Sequence, residues 1–204
     1  MQSRARNSSQ EGAFERDGAR TEKISSKEFS YPSREAISSP FPRVLAFDPG
    51  YERLGVAVVQ KEGGKEVLLH SDCVRTSATL SFPERLGVLG AATEALIAQW
   101  QPQAVALEDV YFAKNAKTAM QVAEVRGMLS YLAISHKLAL FQYTPLQVKV
   151  AITGYGQSDK SAVSMMVLRL LGIHTLPSGK RTLDDEMDAI AVGLTCLASI
   201  RLGQ

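Results

Sequence analysis

Four acidic residues hold positions from which they could act together: Asp48, Glu108, Asp185 and Asp188. Asp48 closes the apolar run Val44–Phe47 and is followed by Pro49-Gly50, and Glu108 closes a second run, Ala104–Leu107. Asp185 and Asp188 stand three apart at the start of an alanine-rich apolar stretch, which on a helix places them on one face. Carboxylates at strand ends and at a helix start can meet although the sequence scatters them. Their repulsion must then be relieved by protonation or by a hard cation. Four carboxylates with no His or Cys nearby favour an oxygen-loving ion, Mg²⁺ or Mn²⁺, over zinc. Two such ions about 4 Å apart are an arrangement for in-line attack of water on a phosphodiester.

Each acid also has a plainer reading. Asp48 before Pro-Gly can simply open a turn. Glu108 and Asp109 can mark the exit of a strand, and Asp184-Asp185-Glu186 can serve as a favourable helix start. Asp188, followed by Ala189, Ile190 and Ala191, is the hardest to place on an ordinary surface. Asp184 offers an alternative spacing of four to Asp188, also one helical face, so the choice between Asp184 and Asp185 stays open. The joint pattern favours a site over four separate accidents.

Other residues fit contact with nucleic acid. After Glu108 come Tyr111, Phe112 and Lys114, two aromatics beside a basic residue on a loop. Such a loop can stack on unpaired bases while the lysine meets a phosphate; the plainer reading buries one aromatic and leaves the lysine solvated. Lys149 and Lys160 flank the break Gly154-Tyr155-Gly156, with Lys160 in the first turn of the next helix, where free backbone amides also attract phosphate. No GK[ST] accompanies those glycines, so a P-loop is not supported. His70, His136 and His174 have no ligand spacing.

The elements that must position these residues follow from the pattern. Strands are read at Val44–Phe47, Leu54–Gln60 and Glu66 to about Val74, the last two joined by the Gly63-Gly64 turn. Ser81 caps a helix carrying Leu86, Leu89, Leu96, Ile97 and Trp100 on one face. A fourth strand ends at Glu108, and Asn115 caps a long helix to about Lys137. Leu138–Tyr143 forms the fifth strand, Pro145 opens a short helix, Ser158 caps another, and a last helix runs from about Leu183 to Ile200. The order βββαβαβ followed by helices predicts an α/β fold: a five-stranded mixed sheet with helices on both faces.

Residues 1–43 read differently. They are Ser-, Arg- and Glu-rich, hold eight Lys/Arg against six Asp/Glu, and show no periodicity. Residues 1–42 are expected to form a disordered extension and 43–204 a single domain. The acids in the leader argue against an organelle transit peptide. Beyond residue 43 the chain carries fifteen residues of each charge sign; drawing four acids into one site leaves the remaining surface positive enough for DNA. No apolar run spans a bilayer, and Cys73 and Cys196 lack metal or redox spacing, so a reduced, cytoplasmic protein is expected.

The quoted segments together are similar to one family. Phe47-Asp48-Pro49-Gly50 with Gly55, then Leu107-Glu108-Asp109 through Lys114-Asn115, Arg126-Gly127, Gln147-Val148-Lys149, Gly154 to Lys160-Ser161, and Asp185-Glu186-Met187-Asp188 resemble the RuvC family of Holliday junction resolvases, in order across residues 43–200. The resemblance implies an RNase H-like fold and a divalent-metal endonuclease that nicks four-way junction DNA symmetrically, acting in homologous recombination and repair. It implies two Mg²⁺ or Mn²⁺ ions on Asp48, Glu108, Asp185 and Asp188, with Asp48 shared between them. It implies stacking by Tyr111 or Phe112 and phosphate contacts by Lys149 and Lys160. It further implies a homodimer built largely on the helix 115–137, and a branch-migration complex as partner. A non-catalytic junction binder of the same fold is the weaker alternative, because all four acids are intact. An actin-like phosphotransferase would need a duplicated second domain, for which the chain is too short.

Overall fold

A computed structural model describes residues 42–109, 116–174 and 184–200. The strands are β1 (Arg43–Asp48), β2 (Arg53–Glu62), β3 (Lys65–Arg75), β4 (Ala104–Glu108) and β5 (Ala139–Tyr143). The helices are α1 (Phe82–Trp100), α2 (Ala116–Ser135), α3 (Pro145–Thr153), α4 (Lys160–Leu171) and α5 (Asp184–Ser199). The five strands form one mixed sheet in the order β3-β2-β1-β4-β5. β1–β2 and β2–β3 pair antiparallel, whereas β1–β4 and β4–β5 pair parallel.

β1 and β4 are central and apolar on both faces because both faces are covered. The pleat sorts their side chains. Val44 and Ala46 of β1, Ala104 and Ala106 of β4, and Phe141 of β5 pack with Ile190, Val192 and Leu194 of α5. The alternate residues Leu45, Phe47, Val105 and Leu107 pack with Leu89 and Ile97 of α1 and Val125 and Leu129 of α2. Helices therefore cover both faces, as the pattern predicts.

α5 is buried almost throughout its length, lying on the sheet with α3 and α4 against it. A small residue lets it approach. A Cβ built on Gly193 would stand 2.8 Å from Val59 Cγ2 and 3.1 Å from Ala46 Cβ, closer than neighbouring side chains settle. That close contact seats the body of α5 on β1 and β2.

Local signals set the helix ends. At α1 Ser81 is the N-cap, as expected, and the Glu84 carboxylate accepts hydrogen bonds from the Ser81 N–H and hydroxyl, both at 2.7 Å. At α3, Thr144 Oγ1 accepts from the Gln147 N–H and Gln147 Oε1 accepts from the Thr144 N–H. The cap of α4 differs from expectation. Asp159, not Ser158, is the N-cap, its Oδ1 accepting from the Ala162 N–H at 2.8 Å. Ser158 stands one residue too early to reach the first-turn amides, and its hydroxyl instead meets Thr153 Oγ1 and the Tyr155 carbonyl. The expectations for residues 1–41 and for Asn115 lie outside the described residues.

Candidate active site

The register of the parallel pair β1–β4 sets the first contact. Phe47 lies opposite Leu107, so the next residues, Asp48 and Glu108, leave adjacent strands side by side. By strand alternation both follow the α5-facing residues, Val44 and Ala46 on one strand, Ala104 and Ala106 on the other. α5 then brings its first turns over the same sheet end. The closest approach is at Gly55, which pairs with Asp48 across β1–β2. A Cβ there would stand 1.9 Å from the Asp185 carbonyl oxygen and 3.2 Å from Asp48 Cβ. Only a residue without a side chain lets the start of α5 sit so near Asp48.

The charges act on one another accordingly. Burial pushes the Asp48 carboxyl up to about 8, and the Glu108, Asp188 and Asp185 carboxylates add to the rise while Lys160 opposes it. Glu108 is also pushed up, first by burial and then by Asp188, whereas a hydrogen bond with the Asp48 side chain and the fields of Lys160 and Lys149 pull it back. The central pair is therefore a proton-sharing pair. Asp184 is exposed and is absent from the charges acting on Asp48, whereas Asp185 is among them.

The two helix acids are each met by a protein cation. Lys160 Nζ lies 2.8 Å from Asp188 Oδ2, and Arg53 Nε lies 3.1 Å from Asp185 Oδ2. Among the described residues no three His, Cys, Asp or Glu side chains are gathered closely enough to close a metal cage as they stand. The four acids share a field, and Asp185 and Asp188 are each held by one of these cations. The donor chemistry fits a hard divalent ion: four partly buried carboxylates, two of them paired with the cations Lys160 and Arg53.

One expectation is corrected here. The acids were read as having no Cys nearby, yet Cys73 Sγ on β3 lies 4.0 Å from Asp185 Oδ2. Cys73 is far in sequence from each of the four acids and comes close because β3 pairs with β2 opposite Gly55. Burial, then the Asp185 carboxylate, push its thiol up, so it stays protonated rather than offering a thiolate.

Other neighbours carried no clear sequence signal. Arg53 stands two residues before Gly55 and is an ordinary strand-end arginine until α5 is in place. Glu186 is buried, with Ser71 Oγ donating to its Oε1 at 2.6 Å, so the acidic helix start is also a tie between α5 and β3. Arg126 on α2 spans Asp109 Oδ1 at 2.9 Å and Gln142 Oε1 at 3.1 Å, bracing the chain just after Glu108.

The expected DNA-contact residues divide. Lys160 is at the site but engaged with Asp188, and Lys149 is close enough for its charge to act on Glu108. Tyr111, Phe112 and Lys114 lie outside the described residues.

Comparison with known proteins points the same way. Residues 44–196 match the family model described as crossover junction endodeoxyribonuclease RuvC. A protein of that name from Caldicellulosiruptor saccharolyticus is 37% identical over 158 residues, covering 77% of this chain and 93% of the relative. The structure of Thermus thermophilus RuvC superimposes with a TM-score of 0.69 at 32% identity, covering 76% of this chain and 93% of that one. The same protein in complex with a Holliday junction substrate gives a TM-score of 0.69 over 76% of this chain and 92% of that one. The yeast mitochondrial Holliday junction resolvase Ydc2, at 15% identity and a TM-score of 0.63 over 81% of each chain, shares the fold.

Proposed function

This chain belongs to the RuvC family of crossover junction endodeoxyribonucleases, with their RNase H-like fold, and on that premise we propose that it is a structure-specific endonuclease resolving four-way DNA junctions in homologous recombination and repair. The observation that carries the proposal is the gathering of Asp48, Glu108, Asp185 and Asp188 at one end of the sheet, where burial first, and then the neighbouring carboxylates, raise the Asp48 carboxyl to about 8.

In this reading those four carboxylates are the residues that hold divalent cations, Mg²⁺ or Mn²⁺, two per site. Bound there, the ions supply an activated water and stabilise charge on the phosphate oxygens. Asp48 and Glu108 give up the proton they share and present oxygens from rigid strand ends. Asp185 and Asp188 turn from Arg53 and Lys160 toward the same point, which frees two cations beside the scissile phosphate. Water adds at phosphorus and the 3′ oxygen leaves, so the ends carry 5′ phosphates and the nick can be ligated.

Lys149 and Lys160 then hold the backbone near the cut, and Tyr111, Phe112 and Lys114 engage bases and phosphate of the opened junction. A two-fold substrate calls for two such sites, which a homodimer supplies. Met120 and Tyr131 of α2 are exposed at 67% and 70%, an apolar presentation that suits α2 as the dimer face. The same reading has the protein act in the cytoplasm alongside a branch-migration complex. No helix among the described residues is long and apolar enough to cross a membrane.

The test is a synthetic four-way junction with Mg²⁺ or Mn²⁺. Paired symmetric nicks are expected, and Asp48→Asn should abolish them while junction binding persists. Binding without cleavage in either metal would overturn the enzyme reading.

A further inference from the structure

Beside the acids, at the outer end of β2 and β3, lies a pocket of about 220 Å³ lined by Glu52, Arg53, Arg75, Thr76, Ala78 and Arg85. Three guanidinium groups face one carboxylate there. The register makes this more than a loose collection: Arg53 and Arg75 are directly opposite on antiparallel strands. Like charges so placed repel, and the sheet gains nothing by keeping them unless an anion comes between.

The protein's own acids answer this only in part. Arg53 is drawn to Asp185 at 3.1 Å. Arg85, whose side chain is 11% exposed, reaches Glu52 at 3.7 Å, donates to the Leu80 carbonyl at 3.1 Å and lies over the Tyr51 ring. Its fork is thus fixed before any ligand arrives. Arg75 has no ion-pair partner among the described residues. The pocket wall is held by hydrogen bonds from the Thr76 N–H to the Glu52 carbonyl at 3.0 Å and from Thr76 Oγ1 to the Tyr51 carbonyl at 2.8 Å.

We propose that Arg53, Arg75 and Arg85 form a phosphodiester subsite that grips the junction strand a short step away from the bond cut at the acids. The inference rests on the nuclease reading and extends it to residues of β2, β3 and α1, apart from the lysines of α3 and α4. Guanidinium forks match the paired non-bridging oxygens of a phosphodiester. Arg53 borders both places: its Nε contacts Asp185 while its side chain lines the pocket. A phosphate held here fixes the register of the strand across the acids, so the subsite sets which bond is presented.

The experiment uses the full chain, a synthetic four-way junction and the variant Arg75→Gln, chosen because this exposed side chain has no ion-pair partner among the described residues. Binding is measured in Ca²⁺ over a salt series, together with junctions in which single phosphates near the cut are replaced by neutral methylphosphonates. Arg75→Gln is expected to weaken binding about tenfold, as for loss of one charge-assisted hydrogen bond, and to lower the salt slope by about one. One methylphosphonate position should weaken wild type clearly more than it weakens Arg75→Gln, in which only Arg53 and Arg85 remain to meet that phosphate. Equal affinity, slope and methylphosphonate response in the two proteins, with wild-type cleavage intact, would overturn the subsite while leaving the resolvase reading standing. A change confined to stabilisation by inorganic phosphate, with junction binding untouched, would assign the pocket to a free anion and also overturn it. A wild type that neither binds nor cuts junctions would sink both readings together.

Discussion

Lys160 Nζ stands 2.8 Å from Asp188 Oδ2, joining the first residue of α4 to the acid one turn into α5. This lysine is both a counter-charge for the acid cluster and, in the proposed reaction, a phosphate contact. The two roles oppose each other, and that opposition can be measured. Lys160→Met removes a positive charge beside the carboxylates, so metal-free protein should bind Mn²⁺ several-fold more tightly in calorimetric titration. Junction cleavage should fall at the same time. Weaker Mn²⁺ binding would contradict the competition.

Asp48 gives a pH dependence of definite sign. Its carboxyl is held at about 8 in the folded chain against 3.8 in the unfolded reference. The folded state therefore binds more protons across that interval, and the resulting stabilisation is full below pH 3.8 and lost as pH rises to about 8. In EDTA, denaturant unfolding should show stability declining between pH 5 and pH 8, a trend that Asp48→Asn flattens. Divalent metal should displace the shared proton, so titration near pH 7 should release protons to the buffer.

Gly55 carries a steric prediction. A methyl group there would stand 1.9 Å from the Asp185 carbonyl oxygen, a backbone atom that cannot rotate away. Gly55→Ala must therefore push the start of α5 off the sheet. The expected cost is about 1–3 kcal/mol in unfolding free energy, with cleavage lost even where the variant still folds. Wild-type activity in this variant would show that α5 need not sit so close.

Arg126 tests how Glu108 is braced. Arg126→Ala leaves Asp109 without its 2.9 Å partner and Gln142 without its donor. We expect a loss of about 1–2 kcal/mol in stability and a drop in kcat with little change in junction affinity. The double variant with Asp109→Ala should cost less than the sum of the singles, because the two side chains act as a pair.

Much of the fold is legible along the chain because it depends on near neighbours. The apolar runs before Asp48 and Glu108, the Gly63-Gly64 turn and the helical face of Leu89 and Ile97 each predict their element. Ser158 shows the limit of that legibility: whether it or Asp159 caps α4 turns on one residue of phase, which periodicity does not fix.

By itself the sequence determined the four carboxylates and the types of elements they ride on, because strand and helix periodicities are local properties. It also determined the family, through the order of its motifs. Tertiary structure alone decided which charges face one another. The parallel register of β1 and β4 set Asp48 beside Glu108, and the close approach at Gly55 set the start of α5, with Asp185, next to Asp48. The same packing delivered Arg53, Cys73 and Lys160 to the acids from three separate elements. Such pairings depend on distances between chain segments that no spacing along the sequence records.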